Sequence, residues 1–181
     1  MKIDNHWLNQ ATKVESPNCD ERPIKDDISL IVVHCISLPP DQFGGGYIDQ
    51  LFCNQLNPDD HDYFKQIYQL KVSAHLLIKR CGEVVQYVPF DKRAWHAGVS
   101  NYKGKEQCND YSIGIELEGT ETIDYTDAQY KQLNRVIKAI LTQYPKLSTE
   151  HIVGHCDVSP ERKIDPGDSF DWDRLSLEIA N

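Results

Sequence analysis

The sequence predicts an α/β (α+β) fold, in which helices flank a mixed central β-sheet. The run from Ile28 to Val33 is almost continuously apolar and rich in β-branched residues, which is typical of a strand buried on both faces. A β-hairpin pattern occupies the middle of the chain, and a long amphipathic helical pattern begins at Thr126. Strands and helices mixed in this way bury their apolar sides by packing the helices on the faces of a sheet.

Length and charge limit the classes of protein to consider. The 181 residues suit one domain, which we expect to span 1–181. The formal net charge of −9 argues against nucleic acid as the main partner, because phosphate backbones require a basic surface. The sequence has no apolar run of membrane-spanning length and no signal segment, so we expect no membrane association. If the chain is complete, we expect a cytoplasmic protein with reduced cysteines and infer no obligate protein partner.

The first half of the chain contains one strong strand signal and two weaker elements. Residues 1–27 are polar and interrupted by prolines, so we expect an arm with a short strand or turn near its start. His34 lies where the first buried strand emerges. The segment 38–47 contains three consecutive glycines and is interpreted either as a mobile flap or as a plain long turn. Residues 59–70 are predicted to form a helix.

The second half alternates strands and helices. Segments 73–80 and 83–88 flank Cys81-Gly82 and predict a β-hairpin. Segment 110–119 alternates as a strand, with Ser112, Gly114, Glu116 and Glu118 on its polar face. Helices are predicted over 126–144, where Thr126 can cap the first turn, and over 172–179.

Two histidines lie at the ends of predicted buried strands. His34 follows the first strand, and His155 follows a short strand at 152–154. Strand ends that meet at one edge of a sheet form a crevice, where the sites of α/β proteins usually lie. Two histidines and one carboxylate form an open zinc site. We prefer Asp165 as the carboxylate because the proline-stiffened loop 154–167 can return it to His155, but several other carboxylates are candidates.

Other chemistries are open at this point. The triplet His155-Cys156-Asp157 fits half of an iron(II) facial triad, but no later histidine completes it. Cys156 is a candidate thiol nucleophile with His34 as its base, although nothing in the sequence marks it as activated. Glu116 is the candidate proton-transfer group, and Lys163 is placed to stabilise negative charge in acyl transfer. The alternative for both is an exposed side chain without a catalytic role.

Five segments, taken together, resemble the zinc-dependent N-acetylmuramoyl-L-alanine amidases. They are Val32-Val33-His34, Ser73-Ala74-His75, Ala94-Trp95-His96-Ala97-Gly98, Ser112-Ile113-Gly114-Ile115-Glu116, and Gly154-His155 with Lys163-Ile164-Asp165-Pro166-Gly167. The resemblance covers nearly the whole chain and implies the fold shared with peptidoglycan recognition proteins. It implies one Zn²⁺ held by His34, His155 and Asp165. It also implies that Glu116 and Lys163 are the catalytic pair.

Within that family, the resemblance implies the cytoplasmic branch that acts in peptidoglycan recycling. The substrate would be an anhydro-muropeptide, cleaved between the lactyl group of 1,6-anhydro-N-acetylmuramic acid and the L-alanine of the stem peptide. Such cleavage would also control the muropeptides that induce β-lactamase. The alternatives are a non-catalytic peptidoglycan-binding module, which the complete residue set disfavours, and an exported cell-wall lysin, which the missing signal segment disfavours.

Substrate contacts are implied by the same resemblance. Trp95 and its neighbours in 94–98 would form a wall on the sugar side of the site, and Arg162 would be a basic contact. The chain departs from the family pattern at Cys35, where relatives carry asparagine, and at Lys71 and Gln107, where arginine is common. We expect Cys35 and Lys71 to contact the substrate. These departures are expected to change contacts to the stem-peptide carboxylates rather than the reaction.

Overall fold

A mixed sheet of six strands forms the centre of the computed structural model, which describes residues 1–175. The strands, in chain order, are β1 (Ile3–Asp4), β2 (Trp7–Leu8), β3 (Thr12–Lys13), β4 (Cys19–Glu21), β5 (Leu30–Ile36), β6 (Leu76–Ile78), β7 (Val84–Gln86), β8 (Lys92–Ala94), β9 (Asn101–Tyr102), β10 (Lys105–Glu106), β11 (Ser112–Glu118) and β12 (Ile152–Gly154). The helices are α1 (Tyr47–Phe52), α2 (Phe64–Ile67), α3 (Asp127–Gln143) and α4 (His155–Val158).

The central sheet has the strand order β12-β5-β11-β6-β7-β3. Strands β12, β5, β11 and β6 are parallel neighbours, whereas β6 and β7 form an antiparallel hairpin. The short strands outside this sheet form the pairs β1–β2, β4–β8 and β9–β10. The predicted mixed sheet is therefore confirmed, and the hairpin occurs where the sequence places it.

The two faces of the sheet are covered by different helices. On one face, Ile113, Ile115 and Leu117 of β11 belong to a buried cluster that includes the apolar side of α3. On the other face, a second cluster joins the sheet to the apolar residues of α1 and α2. Burying one large aliphatic or aromatic side chain stabilises the fold by about 1.5–3 kcal/mol. Because the side chains of β11 alternate, Glu116 points to the face opposite Ile115.

Helix α3 is the predicted 126–144 helix, and its N-terminus carries a capping box. The Thr126 hydroxyl accepts a hydrogen bond from the Gln129 backbone N–H at 3.1 Å. The Gln129 side chain accepts one in return from the Thr126 backbone N–H, also at 3.1 Å. Two donors that a helix terminus leaves unpaired are satisfied in this way.

Replacing Thr126 with alanine is expected to lower the free energy of unfolding by about 1 kcal/mol, because the cap is lost together with the hydrogen bond from the Thr126 hydroxyl to the Arg80 carbonyl at 2.7 Å. For a chain of this size, that corresponds to a decrease in Tm of about 2–4 °C. Thermal unfolding followed by circular dichroism measures the change. Thr142→Ala is the matched control, since the Thr142 hydroxyl donates only to the exposed Lys138 carbonyl of the same helix. Equal losses in the two variants would contradict the capping role.

The helix predicted over 59–70 is much shorter in the structure, where only Phe64–Ile67 is α-helical. The Asn57 side chain accepts a hydrogen bond from the Asp59 backbone N–H at 3.1 Å, and this local turn competes with a helical start. Helix α1 was not predicted, because it directly follows Gly44 to Gly46, which all have positive φ. Of the predicted helix 172–179, Trp172–Arg174 forms one 3₁₀ turn, and residues 176–181 lie outside the described residues.

The helices within residues 1–175 include none with both the length and the apolar character needed to cross a membrane.

Candidate metal centre

Parallel pairing in the sheet brings three of the predicted site residues into one row. Strands β12 and β5 pair with Gly154 opposite Val33, so the residues that follow, His155 and His34, lie side by side. On the other side of β5, His34 is paired with Glu116 of β11. Paired residues of neighbouring strands point to the same face of a sheet. The row therefore depends on the register of three strands.

His34 lies inside its strand rather than at the end of it. Strand β5 continues to Ile36, because β11 keeps pairing with it as far as Glu118 opposite Ile36. His155 is the first residue of the short helix α4, directly after β12. Both imidazoles are buried, with exposed fractions of 1% for His34 and 2% for His155.

Asp165 reaches the two histidines because its loop folds back on the start of α4. The Cys156 backbone N–H donates to the Asp165 carbonyl at 3.0 Å. The Asp165 Oδ2 atom then lies 3.2 Å from Nδ1 of His34 and 3.1 Å from Nδ1 of His155. The two Nδ1 atoms are 2.9 Å apart. One atom of each residue thus forms a compact triangle that could hold a metal ion.

The donor set and its spacing fit zinc. Imidazole nitrogen and carboxylate oxygen bind zinc at about 2.0–2.2 Å, so two such ligands in a tetrahedral site lie about 3.3 Å apart. The triangle formed by His34, His155 and Asp165 has sides of 2.9–3.2 Å and needs to widen by only a few tenths of an ångström. Converging nitrogen lone pairs and a carboxylate oxygen repel one another, and a cation between them removes that repulsion.

The protonation states at neutral pH also fit metal binding. Burial lowers the pKa of His34 to about 4, which leaves the neutral imidazole that coordinates metals. Burial raises the pKa of Asp165, but the close contacts with His155 and His34 outweigh it and hold that pKa below its ordinary range. Asp165 is therefore a carboxylate anion, and it supplies the negative charge of the cluster.

Glu116, next to His34 in the row, carries a buried carboxyl group without a full set of partners. Its Oε2 atom has no hydrogen-bond partner among the described residues, and the residue is 9% exposed. Burial and the negative charge of Asp165 raise the pKa of Glu116 well above its ordinary value, while Lys163 acts in the opposite direction. A carboxyl group in this state at a cleft is suited to accept and donate a proton.

A cleft of about 400 Å³ lies over this row. The ligand triangle, Glu116 and Lys163 line it with polar groups. Apolar residues of and around α1 and α2 also line it, namely Leu51, Phe52, Tyr63, Ile67, Leu70 and Val72. The predicted metal and catalytic residues therefore surround one space, which is large enough for a small-molecule ligand.

The predicted substrate contacts fall into two groups. Trp95 and Cys35 line the cleft, whereas Lys71 and Arg162, both within the described part of the chain, do not. The Arg162 guanidinium Nη2 donates to the Ala97 and Val99 carbonyls at 2.6 and 3.1 Å, so the protein's own backbone engages it. Contact of these four side chains with a substrate stays a prediction.

The cysteines near the site are poor nucleophiles. Burial raises the pKa of the Cys35 thiol far above its ordinary value, so the thiol is neutral at pH 7. Burial also raises the pKa of Cys156, which disfavours the thiolate that a nucleophile requires. The alternative in which Cys156 acts as a nucleophile therefore lacks an activated thiol.

Sequence reasoning did not identify His96 and Ala97 as neighbours of the histidine pair. We interpreted 94–98 as a wall for sugar, yet His96 contacts His34, and the Ala97 carbonyl contacts His155. Gly114 was a sequence signal for the contact of His96 with the sheet, since a glycine in the middle of a buried strand often marks the close approach of another group.

The chain is similar to known amidases in both sequence and structure. The sequence profile of the N-acetylmuramoyl-L-alanine amidases matches residues 24–168. The 1,6-anhydro-N-acetylmuramyl-L-alanine amidase AmpD of Citrobacter freundii is 59% identical over 180 residues, which cover 99% of this chain and 96% of AmpD. A solved selenomethionine derivative of AmpD matches with a TM-score of 0.94 at 59% identity and covers 97% of both chains.

A more distant solved structure is the Escherichia coli N-acetylmuramyl-L-alanine amidase AmiD, in complex with the substrate anhydro-N-acetylmuramic acid-L-Ala-D-gamma-Glu-L-Lys. It matches with a TM-score of 0.61 at 27% identity, covering 86% of this chain and 59% of the AmiD chain. The family resemblance inferred from the sequence motifs is confirmed by the profile match and the identity to AmpD. The chain belongs to the N-acetylmuramoyl-L-alanine amidase family.

Proposed function

We propose that the protein is a zinc hydrolase that cleaves the amide bond between the lactyl group of 1,6-anhydro-N-acetylmuramic acid and the L-alanine of a stem peptide. The observation that carries this proposal is the row of His155, His34 and Glu116, with Asp165 against both histidines. A ligand triangle and a proton-transfer group thereby face the same cleft.

Zinc held by Nδ1 of His34, Nδ1 of His155 and Oδ2 of Asp165 would act as a Lewis acid on the scissile carbonyl and would acidify the attacking water. Glu116 accepts a proton from that water on its carboxylate and then donates it to the leaving amine of L-alanine. The raised pKa of Glu116 supports the first step, because a carboxylate whose pKa is raised is a stronger base for the proton of the water.

Lys163 is a cationic side chain of the cleft whose charge acts on Glu116. Its side chain is half-buried, lines the cleft and lowers the pKa of Glu116 through its charge. An ammonium group in such a partly dry site stabilises the negative charge that develops on a carbonyl oxygen when water attacks it. We assign this role to Lys163.

The relatives support the class of substrate. AmpD of C. freundii is named a 1,6-anhydro-N-acetylmuramyl-L-alanine amidase, and AmiD was solved with an anhydromuramyl peptide. The cleft offers Trp95 and an apolar wall to the sugar, and Lys163 to the polar end of the ligand. We place the reaction in peptidoglycan recycling in the cytoplasm, where it would remove the muropeptides that induce β-lactamase.

A peptidoglycan-binding module without catalysis is the second candidate. A pure binding site gains nothing from a Glu116 carboxyl oxygen that has no partner within residues 1–175, and leaving such a buried polar atom unsatisfied costs about 1–3 kcal/mol. This cost is understandable if the oxygen receives a proton during turnover, and so it favours the enzyme.

Incubation with a 1,6-anhydromuramyl tripeptide, followed by mass spectrometry, tests the proposal. We expect release of the free tripeptide, loss of release with a zinc chelator, and recovery when zinc is added back. Binding of the muropeptide without cleavage under any metal condition would support the binding module instead. A parallel reaction with intact peptidoglycan sacculi is expected to be far slower, and comparable rates would support an exported lysin.

A further inference from the structure

The segment formed by Trp95, His96 and Ala97 lies directly behind the two histidines of the metal centre. Its backbone is held by Asn109, whose Oδ1 atom accepts hydrogen bonds from the backbone N–H groups of His96 and Ala97 at 3.1 and 2.8 Å. One asparagine side chain thus fixes two successive peptide groups. The groups that this segment presents to His34 and His155 are therefore held in place.

On the His34 side, the segment presents an imidazole. The His34 Nε2 atom lies 2.9 Å from Nδ1 of His96, and the His96 Nε2 atom lies 3.0 Å from the Ser112 hydroxyl oxygen. A metal ligand needs a lone pair on Nδ1 of His34, so the ring proton of His34 must be on Nε2. That proton is donated to Nδ1 of His96, whose own proton is then on Nε2 and is donated to Ser112.

On the His155 side, the segment presents a backbone carbonyl. The His155 Nε2 atom lies 3.2 Å from the Ala97 oxygen. A carbonyl oxygen only accepts hydrogen bonds, so it selects the form of His155 with its proton on Nε2 and its lone pair on Nδ1. The Arg162 guanidinium also donates to this oxygen, at 2.6 Å, which fixes the carbonyl further.

The strand behind His96 has the one residue type that leaves room for this imidazole. A Cβ atom built on Gly114 would lie 2.5 Å from Cγ of His96, closer than any stable contact. Any larger residue at position 114 would therefore displace the His96 ring from His34. The close approach of the His96 ring therefore explains why a glycine lies in the middle of β11.

We propose that His96, through its imidazole, and Ala97, through its carbonyl, are the positioning groups that set the protonated nitrogen and the ring orientation of the two zinc-binding histidines. The inference rests on the proposed zinc site. Groups that hydrogen-bond to ligand histidines typically account for about 10–100-fold in metal affinity. His96 is the group that substitution can test, since Ala97 acts through its backbone.

The test compares His96→Leu with His96→Asn. Leucine removes the acceptor, whereas the asparagine Oδ1 atom occupies a position close to that of Nδ1 and can still accept from His34. Competition with a chromogenic chelator measures the zinc dissociation constant of each purified chain. We expect about 10–100-fold weaker zinc binding in His96→Leu and recovery of most of the loss in His96→Asn. His61→Leu is the matched control, because His61 bonds only within its own turn, and its zinc affinity should equal that of wild type.

Two further measurements separate positioning from general destabilisation. In the zinc-loaded wild type, ¹⁵N-correlated NMR should show His96 with its proton on Nε2, and a proton on Nδ1 would overturn the inference. Ser112→Ala removes the hydroxyl that accepts the Nε2 proton of His96, and it should weaken zinc binding less than His96→Leu does. If wild type binds zinc and His96→Leu binds it equally tightly, positioning by His96 is refuted and the proposed function stands. Wild type without zinc affinity would overturn the proposed function, and this inference with it.

Discussion

Exchanging Glu116 for glutamine is expected to lower turnover of the anhydro-muropeptide by about 10²–10⁴-fold, the usual contribution of a general acid–base group. The amide keeps the size of the side chain, but it has neither a carboxylate to accept the proton of the water nor an acidic proton to pass to the leaving amine. Zinc should stay bound, since Glu116 supplies none of the three atoms of the ligand triangle. Steady-state kinetics and zinc analysis on the same preparation measure both effects. Wild-type turnover in the variant would remove Glu116 from the mechanism.

The same exchange is expected to stabilise the metal-free chain at neutral pH. Burial raises the pKa of Glu116, so the folded state holds this proton more tightly than the unfolded state does. The contribution of Glu116 to stability is therefore most favourable below its ordinary pKa and decreases as the pH rises toward the folded-state value. Glutamine does not titrate, so the Tm advantage of the variant should grow as the pH rises through this window. Each kcal/mol corresponds to about 2–4 °C for a chain of this size.

Glu118→Gln provides the matched control, because Glu118 is buried on the same face of the same strand. Its carboxylate is fully engaged, however, accepting from the Gly44 backbone N–H at 2.5 Å and from the Arg80 backbone N–H at 3.0 Å. Losing hydrogen bonds to a charged group costs about 1.5–3 kcal/mol. The two exchanges should therefore shift Tm in opposite directions, and shifts of the same sign would contradict this account of Glu116.

Replacing Asp165 with alanine is expected to abolish hydrolysis and to weaken zinc binding. The loss of zinc affinity should exceed the ~10–100-fold that is typical of groups that only hydrogen-bond to a metal ligand. The exchange removes both a ligand atom and the negative charge that balances the metal. Metal analysis after gel filtration, together with the tripeptide assay, measures both losses. Asp168→Ala is the control, since Asp168 directly follows the loop 154–167 and is exposed. Retention of zinc and activity in the Asp165 variant would identify another carboxylate as the ligand.

The elements predicted correctly are those whose signal lies within the segment itself. Strands β5 and β11 have the expected apolar patterns, and α3 combines a cap at Thr126 with regular apolar spacing. Helix α1 is six residues long and follows three glycines, so no periodic pattern can develop. Its Ile48, Leu51 and Phe52 are buried against the sheet, and that packing defines the helix. Tertiary contact therefore decided the elements that the local pattern left open.

The sequence alone is enough to single out the groups that we propose carry the chemistry. His34 and His155 follow apolar β-branched runs, Glu116 lies on the polar face of a strand, and the motifs around them identify the family. It did not determine how these groups meet. The pairing of Val33 with Gly154 and of His34 with Glu116 joins segments far apart in the chain, as does the contact between His34 and His96. The folded chain sets this row and the groups behind it, because strand register and side-chain contacts across the sheet arise from packing of the whole chain rather than from any local pattern.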